Sequence, residues 1–188
     1  MKYILLLISI ICLMNAKYSD QDIADELKIA SAKSNINKRV LYTIAKIESD
    51  FTPLIISFTS YKKDHNYPNL IRSVGKYKNK YIISFRGDEI NLKNALEDLI
   101  NKGYKVDVGL MQINSVNFTK DEIGDIFNIK YNIDKSVSVL KTCIDLTKTT
   151  KQSIECYNKG KKSKYSNYDY YEKFKNSYLM AFARNLDK

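Results

Sequence analysis

Glu48 has the placement of a proton donor. Leu41, Ile44, Ala45 and Glu48 fall at i, i+3, i+4 and i+7, so all four share one face of a helix running from about Lys38 to Asp50. On that apolar face a carboxyl stands where a leucine is expected. Desolvation there disfavours the charged form and raises the pKa. A carboxyl that keeps its proton near neutral pH can pass it to a leaving oxygen, such as a glycosidic one. The plainer alternative is a glutamate at a helix end that reaches water or pairs with Lys46 or Arg39. A two-carboxylate mechanism would need a partner. Asp50 lies two positions on and points to roughly the opposite side of the helix. Asp107, just before Gly109, is the better candidate; its alternative role is to fix the turn into that glycine. His65 is the only histidine and reads as an exposed loop residue, so neither a metal nor a cofactor is expected.

Several elements must hold these groups. Ser19 and Asp22 are a helix start, followed by Ile23, Leu27 and Ala30 at helical spacing, with a break at 35–37. The helix of Glu48 ends before Pro53. Residues 57–69 read as a loop, and 74–85, with Asn79 near the middle, as a β-hairpin. Asn91 caps a helix with the stripe Leu92, Ala95, Leu96, Leu99 and Ile100, ended by Gly103. Residues 106–114 are mixed. Helices follow at about 119–127, 134–146, 151–157 and 169–185, the last with Tyr171, Phe174, Tyr178 and Phe182 as its stripe. The pattern predicts a mostly α (α+β) domain with one small β element.

The first 16 residues are set apart. Met1-Lys2 is a short basic start, residues 3–14 are almost uninterruptedly apolar, and Ala16 offers a small residue before Lys17. This is the layout of a secretory signal peptide, and the run is short for a membrane span. Residues 17–188 are then one exported domain. An uncleaved anchor, or a lipoprotein modified at Cys12, are the alternatives; Ile11 before Cys12 fits the latter poorly. Export leaves Cys143 and Cys156 as an even pair in an oxidising compartment, either bridged or as two buried thiols. Losing Lys2 leaves 30 of the 31 basic residues against 21 acidic ones, a net +9. Such a charge suits an anionic surface such as a cell wall. Nucleic acid is disfavoured, because the basic residues are spread along the chain instead of being clustered with aromatic readers. The densest patch, residues 159–164, reads as a solvated loop.

Motifs further along the chain join Glu48. Residues 47–49 read I-E-S, 107–115 read D-V-G-L-M-Q-I-N-S, 156–160 read C-Y-N-K-G, and 171–174 read Y-E-K-F. In this order they resemble the soluble-lytic-transglycosylase domain of the goose-lysozyme-like superfamily, over about 37–182. The small transglycosylases of type IV secretion and conjugation systems are the nearest likeness, since Gly103 to Asn114 matches their G-x-x-V-D-x-G-L-M-Q-I-N. The resemblance implies a lysozyme-like domain with a small hairpin insert that acts on peptidoglycan glycan strands. It implies Glu48 as catalytic acid/base and Ser49 as a residue holding substrate or the glutamate. Met111 and Gln112 would line one side of the sugar cleft, and Tyr157 and Asn158 the other. Tyr171 would be the late tyrosine that contacts Glu48, with Tyr168 and Tyr170 close by in sequence. Two departures are Cys156 where the family has alanine, and Lys159 at the variable position. The related secretion enzymes carry a D-P-C stretch after the glutamine motif; around 128–132 this chain has no cysteine, so a Cys143–Cys156 bridge would be an arrangement of its own.

The expected activity is lytic cleavage of the MurNAc-β-1,4-GlcNAc bond with 1,6-anhydroMurNAc ends. The expected place is the periplasm, at the cell wall, with membrane contact only through the signal peptide. The expected purpose is local wall remodelling alongside secretion or conjugation machinery. A lysozyme-like hydrolase using Asp107, and a non-catalytic wall-binding assembly protein, are the rival readings.

Overall fold

A computed structural model describes residues 17–162 and 164–183. The segment read as a signal peptide lies outside them. Six helices, α1 (Asp20–Ser34), α2 (Lys38–Ser49), α3 (Glu89–Asn101), α4 (Ile129–Leu146), α5 (Thr150–Lys159) and α6 (Asp169–Phe182), accompany an antiparallel sheet, with α3 packed on β1 and β4 and α4 on β5. Its strands are β1 (Ile55–Ser60), β2 (Ile71–Tyr77), β3 (Lys80–Arg86), β4 (Val106–Val108) and β5 (Ile113–Asn114), in the order β2-β3-β1-β4-β5. The domain is mostly α with a small β element, as the sequence pattern predicts.

Local chemistry explains the main boundaries. Ser19 and Asp22 form a reciprocal capping box at the start of α1. Asn37 caps α2, and Asp50 ends it in the left-handed conformation at φ 52°. The helix therefore stops before Pro53 is reached. Helix α3 begins earlier than expected, because Asp88, not Asn91, is its cap and accepts the Asn91 N–H.

Three expectations are corrected. The segment from Ser57, read as a loop, opens with the central strand β1, which pairs with both β3 and β4. Its serines hid the alternation: Ile56 and Phe58 face the core, while Ser57 meets Ser84 across the ladder at 2.8 Å. Residues 119–127 form only a short 3₁₀ segment, Lys120–Gly124. Helix α4 starts five residues earlier than expected, capped by Asn128. Its buried stripe of Ile129, Asn132, Ile133, Ser136, Val137, Leu140 and Cys143 contains polar residues that masked the periodicity.

The core joins both layers. Leu41, Ile44 and Ala45 of α2 pack with Phe58, Phe85, Leu96, Leu110 and Met111. A second small cluster holds Cys143, Cys156 and Tyr165, where Cys143 of α4 and Cys156 of α5 form a disulfide with Cα atoms 5.7 Å apart. His65 lies in a loop, but its ring is half-buried between Phe58 and Tyr104, with Nε2 3.0 Å from Ser60 Oγ. Among the described residues no helix is long and apolar enough to cross a membrane, and no group of His, Cys, Asp and Glu residues is arranged to hold a metal ion.

Candidate active site

A cleft of about 870 Å³ opens where the last turn of α2, the β4–β5 turn, α4 and α5 meet. Glu48, Asp107, Gln112, Tyr157 and Asn158 line it. Its size is that of a site for an extended small molecule or an oligosaccharide segment. Lys105 and Lys161 stand at its walls, so its rim is basic.

Glu48 is half-buried and faces this space from the apolar face of α2. It pairs with neither of the cations that would have neutralised it trivially. Lys46 is engaged by Asp50, and the Arg39 guanidinium lies over the Phe182 ring. Its hydrogen-bond partner is the Tyr170 hydroxyl, which donates to Oε1. Desolvation pushes the Glu48 carboxyl up to about 7; the Tyr170 hydrogen bond and the Lys173 charge pull it down, and the Asp107 charge pushes it further up. At neutral pH such a group is poised both to give and to take a proton.

The glycine motif is a tight turn between β4 and β5. Gly109 sits at φ 78°, and a Cβ there would come within 2.5 Å of the Asn132 side chain. Asn132 is buried and closes the turn from behind: its Oδ1 accepts the Met111 N–H at 2.8 Å, and its Nδ2 donates to Val108 O and Ile126 O at 3.0 Å each. Gln112, at φ 45°, turns outward to the cleft, and its Nε2 donates to Gly109 O at 2.9 Å. Asp107 precedes the turn, half-buried, and accepts from Asn114 Nδ2 across the ladder at 2.7 Å. Burial pushes its carboxyl up to about 6, against the pull of that hydrogen bond.

Tyr157 closes the other wall. Its hydroxyl donates to Met111 O at 2.9 Å, so the Ser136 hydroxyl, also 2.9 Å away, must be the donor to it. Burial pushes the phenol up, keeping it a donor at every working pH.

Three residues expected in the cleft stand elsewhere. Met111 is fully buried in the core, and only its backbone carbonyl serves the site. In a turn this short, Leu110 and Met111 both anchor the loop in the core while Gln112 faces out. Ser49 lies behind the cleft: its hydroxyl donates to Leu110 O at 2.7 Å, tying the end of α2 to the glutamine turn. Tyr171 does not reach Glu48. One residue is about 100° of helix, and Tyr170 is the member of the tyrosine cluster that faces α2. Tyr170 and Phe174 form the buried stripe of α6, and that i, i+4 pair was the available signal.

Other supporting residues had no motif to reveal them. Lys173 donates from α6 to Ile47 O at 2.8 Å, satisfying a carbonyl in the last turn of α2 beside Glu48. Asn132 and Ser136 carried the same signal as Glu48, a polar group on an otherwise apolar helical face.

Comparison with curated proteins and with solved structures gave no match. The family model described as the transglycosylase SLT domain matches residues 26–180. That span contains every cleft residue named above, and the family's substrate, peptidoglycan, lies outside the cytoplasm. The chain belongs to the SLT transglycosylase family, the lyases that cut the glycan strands of peptidoglycan.

Proposed function

We propose that Glu48 is the single acid/base of this lytic transglycosylase, acting on the MurNAc-β-1,4-GlcNAc bond. The observation that carries the reading is a half-buried carboxyl that faces a cleft of glycan size and is held by one tyrosine hydroxyl, a setting whose desolvation pushes it up to about 7. Protonated Glu48 gives its proton to the glycosidic oxygen, and the bond to the muramyl anomeric carbon breaks. The N-acetyl group of the same sugar supports the developing positive charge. Glu48, now ionised, takes the proton of the muramyl 6-hydroxyl as that oxygen bonds to the anomeric carbon. The glutamate ends protonated as it began, the product carries a 1,6-anhydro ring, and no water is consumed. One group acting as acid and then as base wants a pKa near the working pH. Gln112 and Asn158 offer amides to the sugar, and Tyr157 walls the cleft.

A second reading rests on Asp107. It lines the same cleft and is close enough to raise the Glu48 pKa. As a base for water it would make the chain a hydrolase of lysozyme type. Its engagement by Asn114 favours a supporting part instead. The signal-like segment 1–16, the disulfide and the basic charge support an exported, periplasmic enzyme. The motif likeness to secretion and conjugation transglycosylases supports local opening of the wall for such an apparatus. Mass spectrometry of muropeptides released from purified sacculi tests the reaction. Anhydro ends, one water lighter than reducing ends, are expected, with cleavage reduced about 10²- to 10⁴-fold in Glu48→Gln. Reducing ends would favour the Asp107 reading. No released product, and no clearing on a peptidoglycan zymogram, would leave a non-catalytic wall-binding protein.

A further inference from the structure

Glu155 of α5 is fully buried, and the chemistry above does not use it. One of its carboxyl oxygens accepts the backbone N–H of Tyr171 at 2.8 Å. The other lies 2.5 Å from Lys159 Nζ, which also reaches Asp169 and the side-chain oxygen of Asn167. Helix α6 begins at Asp169, and the residue before it, Tyr168, supplies no side-chain cap. Normally a Ser, Thr, Asp or Asn at that position takes one of the free N–H groups of the first turn. Here a carboxylate from the neighbouring helix takes it, and negative charge at a helix N-terminus is favourable. The residue between Asp169 and Tyr171 is Tyr170, whose hydroxyl holds Glu48.

We propose that Glu155 is a positioning residue of the site: by holding the Tyr171 N–H it fixes the first turn of α6 and thereby the Tyr170 hydroxyl against Glu48. A buried ion pair gains little stability over an apolar pair of equal volume, so stability alone does not account for a charge here. Placement of α6 does account for it. The groups facing Glu155 are Lys159 on its own helix, Asp169 and Tyr170 on α6, and Tyr165 on the connecting loop. Those facing Glu48 are Tyr170 and Lys173 from α6, Asp107 from β4 and Tyr157 from α5.

The test reads Glu48 directly, by NMR titration of its labelled side-chain carboxyl in the full chain. The variants are Glu155→Asp, Glu155→Gln, Tyr170→Phe and the pairs with Tyr170→Phe. Glu155→Asp keeps the charge but withdraws the acceptor by one methylene. Glu155→Gln keeps an acceptor oxygen but loses the charge and sets its NH2 against the Lys159 ammonium, so it too loosens the first turn. Loss of the Tyr170 hydrogen bond raises the Glu48 pKa, so Tyr170→Phe and both Glu155 variants are expected to raise it, by up to about one. Through-space loss of a negative charge in Glu155→Gln would instead lower it. Once Tyr170 is Phe, the Glu155 changes are expected to add nothing. An unmoved titration, a lowered pKa, or equal shifts with and without the Tyr170 hydroxyl would overturn the proposal. A merely structural role would lower the melting temperature and leave the Glu48 titration in place. Should the Gln variant not fold, the Asp variant carries the same comparison. The kinetic arm rests on Glu48 as acid/base: kcat on sacculi is expected to fall roughly tenfold to a hundredfold with KM nearly unchanged. Absence of Glu48-dependent cleavage in the unaltered chain would sink that functional reading, while the titration would still decide the part played by Glu155.

Discussion

Replacing Glu48 by glutamine is expected to make the protein more stable at alkaline pH while removing its activity. In the folded chain, desolvation holds this carboxyl at about 7, against an ordinary value of 4.5. The unfolded chain therefore gives up the proton near pH 4.5, and the folded chain keeps it until about pH 7. Between those values the folded state binds more protons, so the contribution of Glu48 to stability falls as pH rises, from intact below 4.5 to fully lost above 7. A displacement of that size corresponds to about 3 kcal/mol at most. The cleft is open to water, which screens the charge, so about 1–2 kcal/mol is the realistic penalty at pH 8. Glutamine has nearly the same shape and can accept the Tyr170 hydroxyl, but it carries no charge at any pH. Thermal melts of both proteins from pH 4 to pH 9 provide the assay. At pH 4 the two should melt nearly together, since Glu48 is then protonated in the folded chain and mostly protonated in the unfolded one. At pH 8 the variant should melt higher by about 2–6 °C. A difference that does not change with pH, or a variant less stable at pH 8, would refute the claim that desolvation governs this carboxyl.

Two further outcomes probe the supports of the cleft. Asn132→Leu leaves the Met111 N–H and the Val108 and Ile126 carbonyls buried without their partner, so urea unfolding should show a loss of about 3–5 kcal/mol. Reducing the Cys143–Cys156 bridge, or changing both residues to serine, opens a short loop between α4 and α5 and should cost about 3 kcal/mol, read as a lowered melting temperature in dithiothreitol.

The chain order alone gave much of the site. Helical spacing placed Glu48 among Leu41, Ile44 and Ala45, and that misplacement of a carboxyl is a local property that any reader of the periodicity can see. Gly109 was legible for a related reason: a tight turn needs a residue that tolerates positive φ, and a turn is specified by its own few residues. Gln112 was legible only through the motif likeness. The helix cap at Ser19 likewise involves a partner three residues away.

What the order of residues left open depends on groups distant in the chain. Tyr170 and Tyr171 are adjacent and chemically identical, and only the docking of α6 on α2 decides which hydroxyl meets Glu48, 122 residues away. Met111 and Ser49 sit in motif positions, yet packing turns the first into the core and the second toward Leu110, because a short turn must anchor itself somewhere. The strand β1 was hidden because Ser57 is satisfied by Ser84 of a partner strand that the local pattern does not contain. Sequence thus determined which groups are able to do the chemistry. Tertiary structure decided which of them meet, because the desolvation and hydrogen bonds that tune a carboxyl come from whatever packs against it.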